Sequence, residues 1–168
     1  MVKLEDLKRI NLLKNVPDHL LEIIAEQAQL SIFGADTELI SVNEDVDVFY
    51  MLIMGQVAIK KEISSNLEVI MDYLQSGATF GTSAFFKDSK ASYTAVCQEP
   101  CEAITISGDH LARLFEDNHE LACHMMLGIA AQYKHKMDLR AQMIMKAVNE
   151  NPDLKDSIKN FNDLTLVA

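Results

Sequence analysis

The stretch VFYMLIMGQVAIK occupies residues 48–60 and sets the periodicity of the middle of the chain. Its first half, Val48–Met54, is an unbroken apolar run, and a second short apolar run follows Gly55 within residues 56–60. Short runs of this kind, rich in β-branched and aromatic residues and divided by a glycine, indicate β-strands. We therefore predict a β-hairpin with its turn at Gly55.

The same pattern extends outward from this hairpin, from residue 31 to residue 106. Further short apolar or alternating runs lie at residues 30–33, 38–42, 69–74, 94–97 and 103–107, and turn-forming residues separate them. Many short strands at close spacing are typical of an antiparallel sandwich or roll.

Helical periodicity precedes the strands. Apolar residues recur every three positions at Leu4, Leu7, Ile10 and Leu13. Pro17 and Asp18 then suit the first turn of a second helix, because proline lacks an N–H that this turn leaves unused and an early carboxylate favours the helix dipole. We predict two short helices that are separated near residues 15–17.

A long helix follows the strands, from about residue 120 to residue 149, after a shorter helix that Ser107 or Asp109 would cap. Eight of its residues recur at spacings of three and four, and we call them the first stripe: Ala122, Met126, Ile129, Tyr133, Met137, Arg140, Ile144 and Val148. A second stripe widens the apolar face and contains Leu121, Met125, Gly128, Leu139 and Met143. The first stripe resembles a coiled-coil heptad pattern with one polar break.

The length of this helix favours a second copy of the chain as its partner. At a rise of about 1.5 Å per residue, about 30 residues extend beyond what a small domain covers. We therefore predict a homodimer, parallel or antiparallel, whose interface residues are Ala122, Met126, Ile129, Tyr133, Met137 and Ile144.

The order of helices, β-roll and long helix resembles the cyclic-nucleotide-binding domains of the catabolite-activator type. Residues 12–17 (LLKNVP) are similar to the opening signature of that family, and residues 76–81 (SGATFG) are similar to the strand exit before its phosphate-binding cassette. Residues 38–44 (ELISVNE) resemble a family turn in which Asn43 replaces the usual glycine, and asparagine tolerates a positive φ.

This resemblance implies a mainly β fold over roughly residues 10–148. The expected architecture is an antiparallel β-roll, that is a jelly-roll-like double-stranded β-helix, with N-terminal helices and a long C-terminal helix. The implied organisation is one domain at residues 1–148, including a dimerisation helix at about 120–148, and a tail at 149–168. The tail is expected to form a short docking helix or a frayed end.

The resemblance also implies a phosphate cassette at residues 80–86, which we call the cassette. In the family a glycine opens a short helix, a glutamate accepts the ribose hydroxyl, and an arginine pairs with the phosphate. Here Gly81 keeps the glycine, but Thr82 stands at the glutamate position and Ala91 at the arginine position. Lys90 precedes Ala91, and adjacent strand residues face opposite sides, so its side chain is expected to point away.

These replacements predict weak or absent binding of cAMP and cGMP, because losing a charge-assisted pair costs about 2–5 kcal/mol. A neutral small molecule, or no ligand, suits the remaining hydroxyl groups better. The candidate ligand-binding residues are Phe80, Gly81, Thr82, Ser83, Ala84, Ser92 and Tyr93. No cofactor is predicted apart from a weakly held cyclic nucleotide.

Charge and composition exclude several other classes of protein. A formal net charge of −10 disfavours binding to nucleic acid and to an anionic membrane surface. The segment after Asn149 is expected to be too short for a helix-turn-helix domain. Three cysteines without a signal peptide predict a cytoplasmic protein.

Metal and enzyme chemistry are both disfavoured. His119, Cys123 and His124 lie close on one helix, but no second pair completes four ligands, so we interpret them as surface and half-buried residues. No histidine lies between Ile32 and Ser107, which argues against a cupin-like oxygenase. Cys97 and Cys101 are interpreted as buried apolar residues rather than as a transient disulfide.

Two non-enzymatic functions remain. The first is a stand-alone regulatory sensor domain in which a ligand moves the dimeric C-terminal helix. The alternative is a protein-interaction adaptor with a vestigial pocket. In that case the methionine-bearing long helix and residues 153–168 would bind a protein partner.

Overall fold

The structure, a computed structural model, describes residues 2–64, 67–86, 89–151 and 153. The chain divides into two compact units at residues 1–128 and 129–168. The predicted tail lies mostly at residues 152 and 154–168, outside the described part, so its expected conformation stays a prediction.

The N-terminal region differs from the expected pair of helices. Helix α1 spans Leu4–Lys8, and a separate 3-10 helix spans Asn11–Leu13. Between them the backbone is extended at Ile10, with φ of −76° and ψ of 124°. The first residue of the 3-10 helix donates its N–H to the carbonyl oxygen of Gly77 at 2.9 Å, so a long-range hydrogen bond takes the place of a helical one. Helix α2 spans Asp18–Gln27 and follows Pro17, as predicted.

Eight strands in the described part of the chain form the β-roll. Their bounds are β1 Gln29–Phe33, β2 Glu38–Ile40, β3 Val48–Met54, β4 Val57–Ser64, β5 Leu67–Leu74, β6 Thr79–Phe80, β7 Thr94–Cys97 and β8 Cys101–Ser107. One sheet has the order β1-β8-β3-β6 and the other has the order β2-β7-β4-β5. Every pairing is antiparallel, which confirms the predicted mainly β fold with flanking helices. Strand β6 was not expected from the sequence.

The unbroken apolar run of β3 is explained by burial on both faces. Tyr50 and Leu52 belong to the cluster inside the roll, whereas Phe49 and Met51 alternate with them and are also fully buried. Each such side chain contributes about 1.5–3 kcal/mol to stability through the removal of apolar surface from water. This strand therefore packs into the interior of the roll on one face and, through Phe49, against the ring of Phe85 on the other.

Two helices follow the strands. Helix α3 spans Gly108–Asp117 and is capped by the Ser107 hydroxyl, which accepts the N–H of His110 at 3.3 Å. Helix α4 spans His119–Glu150. In the first unit its residues Leu121 and Met125 are buried.

The described residues of the second unit, 129–151 and 153, are largely the continuation of α4. Their large apolar side chains are mostly exposed, namely Tyr133, Met137, Leu139, Met143, Ile144 and Met145. Across the described residues, no helix is both long enough and apolar enough to cross a membrane.

Candidate functional site

The cassette begins at a glycine whose conformation other residues rarely adopt. Gly81 has φ of 78° and ψ of 27°, and the 3-10 helix Thr82–Phe85 follows it directly. A Cβ atom at this position would collide with the carbonyl oxygen of Val48 and lie 3.2 Å from Cδ2 of Tyr50. The cassette therefore requires glycine here for both backbone conformation and space.

Strand β6 holds the start of the cassette against the interior of the roll. Tyr50 pairs with Phe80 in the register of β3 and β6, and their rings stack with centroids 4.7 Å apart. The Tyr50 hydroxyl donates to the carbonyl oxygen of Leu39 at 3.2 Å. Tyr50 is not among the site residues predicted from the sequence, because only the pairing of β3 with the segment before Gly81 brings it to the cassette.

A side chain of the protein itself meets the cassette backbone. The N–H of Gly81 donates to the hydroxyl oxygen of Tyr93 at 3.2 Å. Gly81 is buried and Tyr93 is half-buried against the interior cluster. The structure thus brings these two predicted site residues together, and a phenolic oxygen accepts the hydrogen bond of the glycine that opens the short helix.

The remaining predicted site residues are distributed around this contact. Thr82, Ser83 and Ala84 are half-buried on the short helix. Ser92 is exposed, because it alternates along the chain with Ala91 and Tyr93, whose side chains lie on the interior side. The structure therefore groups six of the seven candidates near the cassette and strand β7 and places the Ser92 side chain on the opposite face.

Position 91 faces the interior, as the alternation predicted. Ala91 is only 3 % exposed and packs in the cluster that contains Val46, Tyr50 and Phe80. Its backbone is fixed on both sides, since its N–H donates to Glu44 O and its carbonyl oxygen accepts the N–H of Asn43, each at 2.8 Å.

The neighbouring lysine does not replace the expected arginine. The Lys90 side chain is exposed, and the Lys90 backbone forms an isolated antiparallel β-bridge with the backbone of Asp45. Asn43, in the turn just before this bridge, has φ of 68°, which confirms that asparagine supports the turn where the family has glycine. Neither residue 90 nor residue 91 thus brings a cation into the roll.

The interior cluster contains no lysine, arginine, histidine or carboxylate side chain among the described residues. Burial raises the pKa of the Tyr50 hydroxyl, and the neighbouring Cys97 raises it further. Burial, and to a smaller extent a hydrogen bond with Cys101, raises the pKa of the Cys97 thiol to about 12. Both cysteines are free and buried, as expected. The interior therefore suits uncharged groups.

Carboxylates line two clefts of the roll, one of which lies beside the cassette. A cleft of about 630 Å³ is lined by Ala84 and Phe85 of the short helix and by three carboxylates, Asp45, Asp47 and Asp109. A second cleft, of about 300 Å³, is lined by Tyr50, by Glu38 and Glu44, and by Asp45 and Asp47, which line both clefts. No lysine or arginine lies among the lining residues described for either cleft. This field disfavours an anionic ligand.

Aromatic contacts connect the cassette to helix α3. The Phe85 ring lies 5.0 Å from the Phe49 ring and stacks on Phe115 with centroids 5.8 Å apart. A Cβ atom on Gly108 would collide with the carbonyl oxygen of Ala84. The short helix is therefore packed directly against the start and the last turn of α3.

The predicted dimer residues lie on one helix but differ in exposure. Ala122 and Ile129 are half-buried, and the other four are exposed, namely Met126, Tyr133, Met137 and Ile144. Within the described residues, no group of three or more histidine, cysteine or carboxylate side chains is placed to hold a metal ion.

An antiparallel β-roll with a short helix that opens at a glycine defines a class of β-roll domains. Residues 31–118, just over half of the chain, match the family model of the cyclic nucleotide-binding domain. The chain belongs to the cyclic nucleotide-binding domain family.

A bacterial transcriptional regulator and an insect protein kinase are similar to this chain over about two thirds of its length. It is 24 % identical over 119 residues to the cAMP-activated global transcriptional regulator CRP of Pasteurella multocida, which covers 70 % of this chain and 57 % of that protein. It is 28 % identical over 118 residues to the cGMP-dependent protein kinase, isozyme 1, of Drosophila melanogaster, covering 68 % of this chain and 15 % of the kinase. The chain thus spans about half the length of the bacterial regulator and a small part of the kinase.

A solved structure shows the same fold. The cyclic nucleotide-binding domain from Methylobacillus flagellatus superposes with a TM-score of 0.75 at 17 % sequence identity, covering 86 % of this chain and 81 % of that one.

Proposed function

We propose that the chain is a regulatory sensor domain with a degenerate phosphate cassette, which binds cAMP and cGMP weakly or not at all. The observation that carries the proposal is the buried Ala91 side chain at the arginine position. A cyclic phosphate keeps its negative charge, and taking an unpaired charge out of water costs several kcal/mol. The described residues of the roll interior include no cation that would offset that cost.

The contact between Gly81 and Tyr93 supports the same conclusion. An incoming phosphate would have to displace the Tyr93 hydroxyl from the Gly81 N–H and would do so in a field of carboxylates. A neutral ligand that hydrogen-bonds the hydroxyls of Thr82 and Ser83 avoids both costs. The proposed ligand class is therefore an uncharged small molecule, and a domain that holds no ligand is the limiting case.

Calorimetry and thermal denaturation with cAMP and cGMP test the proposal. The missing charge-assisted pair lowers affinity by roughly 30- to 4,000-fold, so the wild-type chain is expected to show no stabilisation at nucleotide concentrations of about 100 µM. The variant Ala91→Arg restores the cation and is expected to gain a cAMP-dependent rise in Tm. Ala91→Met adds similar bulk without charge and serves as the control, because overpacking alone costs about 1–3 kcal/mol. Micromolar binding of either nucleotide by the wild-type chain would contradict the proposal.

The proposed signalling element is helix α4 in a homodimer. Its support is the exposure of Met126, Tyr133, Met137 and Ile144, since large apolar side chains on one helix are rarely left in water. Phe85 and Gly108 connect the cassette to α3, which directly precedes α4 in the chain. A ligand that shifts the cassette would then bias the helix through its differential affinity for two positions.

The exposed methionines Met137, Met143 and Met145 also favour a second function, a protein-interaction adaptor that binds no nucleotide. Methionine side chains adapt to irregular partner surfaces. Affinity purification of the chain with and without residues 150–168, compared by quantitative mass spectrometry, tests the contribution of the tail. An unchanged set of partners would remove the tail from this alternative.

We further propose that the domain is not an enzyme, acts in the cytoplasm and does not contact nucleic acid or membranes directly. The buried free thiols of Cys97 and Cys101 support a reducing compartment. The net charge of −10 supports the absence of direct contact with polyanions.

A further inference from the structure

The first stripe repeats with a period of eleven residues. In the second unit Ile129 and Arg140, Tyr133 and Ile144, and Met137 and Val148 are each eleven positions apart. The same step leads from Ala122 to Tyr133 and from Met126 to Met137. All of these residues lie in α4, which is helical from His119 to Glu150.

A strict seven-residue repeat would select different residues after Tyr133. Continued from Ala122, Met126, Ile129 and Tyr133, a heptad pattern places Lys136, Arg140, Met143 and Ala147 at the interface, and so buries two cations. The eleven-residue pattern places Met137, Arg140, Ile144 and Val148 there instead. Met137 is 67 % exposed and Ile144 is 62 % exposed, so both have apolar surface that a partner would remove from water.

The pattern also accommodates its single charged member. Arg140 is exposed, and a long arginine side chain can bury its methylene groups at an interface while its guanidinium stays in water. A heptad interface would include Lys136, one turn earlier, in addition to Arg140, so a second long cationic side chain would have to bury its methylene groups. The face with one cation is therefore the less costly face to bury.

We propose that a second copy of this chain packs along the eleven-residue face of α4. This inference rests on the dimer of the proposed function and specifies its geometry. A repeat of eleven residues over three turns corresponds to 3.67 residues per turn, slightly more than the 3.6 of a straight helix, so the two helices would cross with a weak right-handed supercoil. A heptad interface would instead wind them left-handedly.

Neighbouring residues provide matched variants of the full chain. Ile144→Asp and Met143→Asp change adjacent apolar side chains of similar exposure, 62 % and 69 %. Ile144→Asp is expected to raise the dimer dissociation constant, measured by sedimentation velocity, at least about 100-fold, because it buries a carboxylate at the interface. Met143→Asp is expected to change it by less than about threefold. Circular dichroism of each variant confirms that the helix content is retained.

A second pair of variants reports on the preceding turn. Met137→Asp is expected to dissociate the dimer in the same way as Ile144→Asp. Lys136→Met is expected to leave the dissociation constant unchanged, whereas a heptad interface would be tightened by it.

The outcomes separate this inference from the dimer itself. A wild-type chain that is monomeric at concentrations of about 100 µM overturns both the proposed dimer and the eleven-residue interface. A wild-type dimer that Met143→Asp dissociates, or that Ile144→Asp leaves intact, overturns the eleven-residue interface and leaves the dimer standing.

Discussion

Removing the hydroxyl oxygen of Tyr93 tests whether this side chain satisfies the backbone N–H of Gly81 at the start of the cassette. In Tyr93→Phe the ring stays in place, but the acceptor 3.2 Å from the Gly81 nitrogen is lost. Because Gly81 is buried, its N–H cannot turn to bulk water instead. The variant therefore leaves a buried donor without this acceptor.

The size of the effect follows from that donor. A buried donor without its partner costs about 1–3 kcal/mol. The separation is at the long end for an N–H···O hydrogen bond, and Tyr93 is only half-buried, so we expect about 1–1.5 kcal/mol. For a chain of this size each 1 kcal/mol lowers Tm by about 2–4 °C, so the expected decrease is about 2–6 °C.

Urea denaturation and amide hydrogen exchange measure the two consequences separately. The free energy of unfolding reports the loss of stability, and the exchange rate of the Gly81 amide reports the loss of its hydrogen bond. Tyr73→Phe is the matched control, because Tyr73 lies on the edge strand β5 and is 48 % exposed. Surface changes of this kind usually stay within about 0.5 kcal/mol.

One result would refute the reasoning. If Tyr93→Phe unfolds at the wild-type urea concentration and the Gly81 amide exchanges at the wild-type rate, the hydroxyl does not satisfy that N–H. The cassette would then be open to an external acceptor, and only the buried Ala91 and the carboxylates of the two clefts would still disfavour phosphate.

Two further predictions concern ionisation and backbone strain. The pKa of Cys97 rises from 9.0 to about 12 on folding, so between these pH values the folded state keeps a proton that the unfolded chain has lost. Raising the pH from 9 towards 12 therefore lowers the free energy of unfolding by up to about 1.4 kcal/mol per pH unit. Cys97→Ala is expected to flatten this slope in urea titrations. Gly81→Ala is expected to destabilise the chain by about 1–2 kcal/mol from its left-handed φ alone, and the collision of the new Cβ with Val48 O adds to this cost. Gly34→Ala is the control, because its Cβ would lie 3.7 Å from the Thr37 hydroxyl oxygen. It is expected to be nearly neutral in the same chemical denaturation assay.

Local pattern was sufficient for much of the fold. Strands Val48–Met54 and Thr94–Cys97 have the predicted bounds, because runs of β-branched and aromatic residues bounded by turns carry a strong periodic signal. Strand β6 was missed because two residues have no period, and it exists only through its pairing with β3. The break after α1 depends on a hydrogen bond to Gly77, which lies far away in sequence.

The site was predictable where the family pattern fixes a single position. Gly81 and the inward position of Ala91 followed from the resemblance and from strand alternation, and both have the expected conformation and burial. The contact of Tyr93 with Gly81 and the stacking of Tyr50 on Phe80 were beyond prediction. Both depend on which strands become neighbours, and spacing along the chain does not encode that.

The three packed rings of Phe49, Phe85 and Phe115 have a consequence for how such a domain changes over evolution. Close-packed aromatic rings leave little free volume, so a displacement of the middle ring is transmitted and not absorbed. In the proposed sensor, the movement of the helices would then depend on the displacement of Phe85 and not on the chemistry of the ligand that displaces it. A lineage of such sensors could therefore exchange one effector for another while these ring contacts are kept.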